Sequence, residues 1–184
     1  MATTYGEFGI KTQSSVASGT DVSSVTVDLP NTTGISFVTG TLSAATETSN
    51  FQFRTLFLDS SSSTISMRYA VMANSTTSTF SSGATTLTIP MNYWNLGALN
   101  SDSSYTGERA NFFMIVDNSL NNSSPFVSPH VLSTTCNSNS SGFTDLHTLR
   151  CVVRENKNIA KVRFATQSGN LSAYRIRVFS VFEE

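Results

Sequence analysis

Apolar residues in this chain recur at every second position in short runs, and helical spacing is almost absent. Val25, Val27 and Leu29 alternate with Thr26 and Asp28 and stop at Pro30. Ile35 and Phe37 begin a second run that ends near Leu42. Phe51, Phe53 and Phe57 share one face of a third, with Gln52, Arg54 and Leu56 on the other. Ile65, Met67, Tyr69 and Val71 alternate with Ser66, Arg68 and Ala70. The turn signal from Asp59 to Ser63 lies between these last two runs, so the pair reads as a hairpin. Further runs are Thr85 to Ile89, Asn111 to Val116 and Leu149 to Arg154. The chain closes on two more strands, which read as a closing hairpin. Ala160, Val162 and Phe164 alternate with Lys161, Arg163 and Ala165; after the turn from Thr166 to Asn170, Tyr174, Ile176 and Val178 alternate with Arg175, Arg177 and Phe179. About eight to ten short strands with Ser, Asn and Gly breaks predict an all-β chain. The expected architecture is a single-domain antiparallel β-sandwich, jelly-roll-like. It spans residues 21–184, after a polar N-terminal arm or short strand over 1–20. The stretches 92–107 and 118–143 read as loops, the second being long enough that a strand around Val127 to Leu132 is its alternative, with one short helical turn within 91–99.

The surface expected on this scaffold is unusual. Only 12% of the 184 residues are charged, against roughly 25% in ordinary soluble domains. Ser and Thr, at roughly 30%, take their place. Such a surface suits a protein packed among many neighbours, because few charges need desolvating on assembly. A secreted adhesin-like domain would share the bias. Net charge is −1, so no overall field draws in nucleic acid or anionic lipid. No apolar run approaches the ~20 residues of a membrane span. The N-terminus lacks a basic start and an apolar stretch, so no signal peptide is read and synthesis in a cytoplasm is expected.

Chemistry-bearing constellations are sparse. Cys136 and Cys151, the only cysteines, stand with the two histidines as His-x5-Cys-x10-His-x3-Cys. The residue types could hold zinc, but the close Cys pair of structural zinc sites is missing. Two thiols packed as small hydrophobes are the default, with a disulfide as the alternative in oxidising surroundings. No Gly-x-Ser-x-Gly elbow, phosphate-binding loop or dinucleotide fingerprint is present. Asp102, Glu108 and Asp117 are the acids grouped around a loop, and they read as solvated carboxylates. No catalytic, cofactor-binding or metal-binding residue is assigned, and the chain reads as non-enzymatic.

Positive charge is skewed towards the end. Seven of eleven Lys/Arg lie from residue 150 onward. Lys161 and Arg163 share a face, as do Arg175 and Arg177. If the two closing strands pair, these four residues form one basic patch, a candidate docking face for an acidic partner. A solvated face whose arginines meet acids from other strands explains the same pattern. Tyr93, Trp94 and Tyr105 are candidates for a ligand or receptor loop, although a lone tryptophan is more often a core or interface anchor.

Several of these segments resemble small β-sandwich structural proteins of tailed bacteriophages, especially marine and cyanobacterial ones. They are Phe51-Gln-Phe-Arg54, the Ser-rich turn before Met67-Arg-Tyr69, the stretch from Asn118 to Pro125, and the ending from Phe164 to Phe179. Many of those proteins end in Tyr-Gly, whereas this chain has Phe179-Ser180 and continues to Glu184. The resemblance implies a virion component such as a capsid decoration protein, a head or tail appendage, or a fibre tip. It also implies docking on other virion proteins as a homo-oligomer, with a trimer favoured. A host-receptor or glycan-binding tip is the alternative it leaves.

Overall fold

The computed structural model describes residues 2–5, 11–30, 32–44, 52–65, 67–75, 83–91, 94–98, 109–119, 130–138, 144–153, 157–166 and 169–182. Among these residues there is no helix. The strands are β1 (Ala2–Tyr5), β2 (Lys11–Gly19), β3 (Ser24–Asp28), β4 (Ile35–Ala44), β5 (Gln52–Leu58), β6 (Met67–Ser75) and β7 (Gly83–Met91). They continue as β8 (Trp94–Ala98), β9 (Arg109–Asp117), β10 (His130–Ser138), β11 (Thr144–Val153), β12 (Lys161–Thr166) and β13 (Leu171–Phe182). They form two antiparallel sheets: a large one in the order β1-β2-β13-β4-β9-β10-β11-β6-β7, and a small one in the order β3-β12-β5-β8.

The core lies between the small sheet and the β13-β4-β9 region of the large one. Alternation decides which side chains fill it. On β9, Ala110, Phe112, Met114 and Val116 are buried, whereas Asn111 and Phe113 are exposed. Val38 and Leu42 on β4 and Ile176 and Val178 on β13 complete the large sheet's inner face. Val25 and Val27 on β3, Phe53 and Phe57 on β5, and Val162 and Phe164 on β12 meet them from the small sheet. The rings of Phe112 and Phe164 stack across the layers with centroids 4.7 Å apart.

Thirteen strands among the described residues exceed the eight to ten expected. Two of the additional ones, β2 and β10, are polar. β2 is rich in Ser, and β10 carries Ser133, Thr134 and Thr135 in the stretch expected as a loop over 118–143. Strands dominated by hydroxyls show no apolar alternation, so periodicity cannot find them. β8 likewise occupies the place of the expected helical turn. The segment read as an arm or short strand contributes β2, which pairs with β13 from Gly19↔Tyr174 to Lys11↔Phe182.

Two expected hairpins are not paired strands. β5 lies in the small sheet and β6 in the large one. The Asp59–Ser63 reversal between them is real, closed by the Asp59 amide donating to the Ser63 carbonyl, but among the described residues it leads to a Leu58↔Thr64 bridge and the Ile65 amide donating to the Phe57 carbonyl, not to a ladder between β5 and β6. The closing strands divide in the same way: β12 pairs with β3 and β5, whereas β13 pairs with β2 and β4. For the closing strands, Val162 and Phe164 enter the same core as Ile176 and Val178, and they do so from opposing layers and not from one ladder.

Candidate functional site

Because β12 and β13 lie in opposing layers, the four basic residues do not form one patch. Lys161 and Arg163 stand on the outer side of the small sheet, where Lys161 donates to the Ser62 hydroxyl at 2.8 Å and Arg163 Nε to the Thr26 hydroxyl at 3.2 Å. Arg175 and Arg177 stand on the outer side of the large sheet, exposed, with no ion pair to a described residue. Trp94 begins β8 opposite Thr55, while Tyr93 and Tyr105 lie outside the described residues.

Register separates the cysteines and histidines. Cys151 pairs with Val131, and Cys136 lies five residues further along β10. At about 3.4 Å per residue that is ~17 Å, well beyond the ~7 Å that a disulfide tolerates between Cα atoms. In the same ladder His130 and Cys151 lie near one end and Cys136 and His147 near the other, so the four backbone positions are spread too far along the strands to share one zinc ion. No group of three or more His, Cys, Asp or Glu converges among the described residues. Asp102 and Glu108 lie outside those residues; Asp117 ends β9, where its Oδ1 accepts from the Ser119 amide at 2.8 Å and from the Ser119 hydroxyl. No helix among the described residues is long and apolar enough to cross a membrane.

The outer side of the large sheet carries the site that sequence reading missed. Register sets its side chains in cross-strand rows over β13, β4 and β9. Arg175, Thr41 and Asn111 form one row, and Arg177, Thr39 and Phe113 the next. Phe179, Phe37 and Ile115 form the third, and Val181, Ile35 and Asp117 the last. One end is polar and the other apolar. At the apolar end Phe113 is 46% exposed, Phe179 40% and Ile35 36%. The Phe37 ring lies 6.1 Å from Phe113 and 6.1 Å from Phe179, so the three rings make a continuous surface. The signal was in the sequence. Phe112-Phe113-Met114-Ile115 is apolar at both parities, and a strand apolar on both faces either sits between two layers or presents one face to a partner.

At the polar end Arg175, Arg177, Thr39, Gly40, Thr41, Asn111, Phe112 and Phe113 surround a hollow of about 510 Å³. Its hydroxyls are already oriented. Thr39 donates to the Phe112 carbonyl at 3.0 Å, and Thr41 donates to Asn111 Oδ1 at 2.8 Å.

No protein-family model matches the chain. No curated protein matches it either. Among solved structures, a chain from infectious bursal disease virus, Gx strain, aligns over 92% of this chain and 40% of its own length, at 9% identity and a TM-score of 0.17. A likeness that faint carries no argument about fold or role.

Proposed function

We propose that this chain is a non-enzymatic bacteriophage virion structural protein, a capsid decoration or head or tail appendage protein that docks on the particle as a homo-oligomer. In this reading the two facing sheets form a single-domain, jelly-roll-like sandwich whose rigidity serves presentation and assembly. The observation that carries it is the ring surface of Phe37, Phe113 and Phe179 with Ile35 beside it, on the outer side of the large sheet. Contiguous exposed apolar surface of this kind marks an interaction site. The low charge content agrees, since an assembly face desolvates few ions. A trimer is the favoured closed form, with this patch of each copy set against a different surface of its neighbour.

Sedimentation equilibrium of the purified chain, with co-sedimentation on virus particles lacking it, tests the reading. A defined oligomer or saturable particle binding is expected. A monodisperse monomer with no affinity for any virion protein would overturn it.

A further inference from the structure

We infer that the hollow over Arg175 and Arg177 is a binding site for an acidic sugar, a saccharide carrying a ring carboxylate. The inference goes beyond the structural role and does not depend on it.

Each wall of the hollow supplies a different complement. Arg175 and Arg177 stand two residues apart on one face of β13, their Cα atoms ~7 Å apart along the strand. Two guanidiniums at that spacing present forks of N–H donors that fit a planar carboxylate. Neither forms an ion pair with a described residue, and Asp117, the acid on this face of β9, lies six residues from Asn111, ~20 Å along the strand. The hydroxyls add acceptors. Thr39 and Thr41 have spent their protons on the Phe112 carbonyl and on Asn111 Oδ1, so their oxygens can only accept from a ligand. The same bond engages Asn111 through Oδ1 and leaves the two donors of its amide nitrogen for a ligand. Phe113 contributes an exposed ring face.

A carboxylate alone would use the arginines and leave the threonine oxygens idle. Inorganic phosphate keeps only one or two hydroxyl donors near neutral pH and has no C–H face to set against the Phe113 ring. A neutral sugar would leave both guanidiniums unmatched. A ring that carries a carboxylate, vicinal hydroxyls and a C–H face engages all three walls. The volume is within the range of small-ligand sites. Among the residues expected to touch a glycan, Trp94 belongs to β8 of the small sheet, whereas the hollow lies on the large one.

The test is a titration of the whole chain with a glucuronate-terminated oligosaccharide and with the same oligosaccharide reduced at the carboxyl, followed by calorimetry. The acidic form is expected to bind, and the reduced form at least tenfold more weakly. Arg177→Ala and Arg175→Ala should each lose about tenfold, the scale of a charge-assisted hydrogen bond. Arg177→Lys should fall between, because it keeps the charge and loses the fork. Thr41→Val should lose severalfold, and Lys161→Ala with Arg163→Ala, on the opposite side, should change nothing. All these side chains are at least partly exposed, and an unchanged melting temperature establishes that the fold is kept. Equal binding of the reduced sugar, equal competition by acetate, or no binding of either saccharide would overturn the inference. Oligomeric state, measured on the same variants, is expected to be unchanged, so this failure and that of the structural role are separable.

Discussion

Asn118 shows how one buried side chain can stand in for a strand. It follows β9 and is 2% exposed. Its Nδ2 donates to the Ile159 carbonyl at 2.9 Å, and its Oδ1 accepts from the Ile159 amide at 3.0 Å. The side chain thus makes the two bonds that a neighbouring peptide would make, and it ties the end of the large sheet to the segment entering the small one. Asn118→Ala would leave both backbone groups of Ile159 buried without partners, at about 1–3 kcal/mol each when nothing replaces the bond. Denaturant unfolding should show a loss of about 2–4 kcal/mol with an unchanged m-value. From the sequence, Asn118 reads as one of several loop asparagines; burial alone distinguishes it. Asp59 acts at the surface by similar means. Its Oδ1 accepts from the Ser61 hydroxyl at 2.6 Å and the Ser63 amide at 2.9 Å, and its Oδ2 lies 3.5 Å from Lys157 Nζ. The Ser61 hydrogen bond first, then that of Ser63, holds its carboxyl below the ordinary carboxylate value. A lowered folded pKa means stability that is full above the unfolded value, near 4, and is lost as pH falls through the folded one. The melting-temperature gap between wild type and Asp59→Asn should therefore be constant at neutral pH and shrink below about pH 4. A gap that persists to pH 2 would show that the charge is not what matters.

At the scale of elements, alternation and sheet membership are separate pieces of information. The buried parity of β3, β5, β12 and β13 was legible in the sequence, down to Val162 and Phe164 inward and Arg175 and Arg177 outward. Which sheet each strand joins was not. A period of two says which side of a strand is dry and is silent about the neighbour on either edge. That is why two hairpins were expected where the chain arches from one layer to the other. The polar strands β2 and β10 were hidden for a different reason: partners on both sides hold their backbones in place, and no apolar stripe announces them. Close approach between strands is visible at Gly40. A Cβ there would lie 2.5 Å from the Arg175 carbonyl oxygen, 2.9 Å from Phe112 Cζ and 3.1 Å from Ile176 Cα. Two of those atoms are backbone of β13 and cannot rotate away. Gly40→Ala should force β4 from β13 and disturb the Phe112–Phe164 stack, at about 1–3 kcal/mol, the usual cost of overpacking. Thermal unfolding measures it, and an alanine variant as stable as wild type would mean that the strands part freely.

For the whole molecule, the two outer sides differ in kind. On the small sheet Lys161 and Arg163 are occupied by the hydroxyls of Ser62 and Thr26. On the large sheet an apolar end and a donor-rich end share the same three strands. If the apolar end is where copies or particle proteins meet, its rings contribute to association and little to folding. Phe113 and Phe179 keep 46% and 40% of their surface in the isolated chain. Replacing both by Ser should change monomer stability by no more than about 0.5–1 kcal/mol, since exposed substitutions are usually small. Association should weaken by far more, because aromatic side chains at the centre of an interface cost ~2 kcal/mol or more each when truncated, about thirtyfold in affinity. The polar-end pair Arg175→Ala and Arg177→Ala gives the opposite pattern, with association kept and the acidic sugar lost. Sedimentation of both double variants against their unfolding curves separates the two ends. If Phe113→Ser with Phe179→Ser associates as wild type does, the contact between copies lies elsewhere and this face is free for ligands alone.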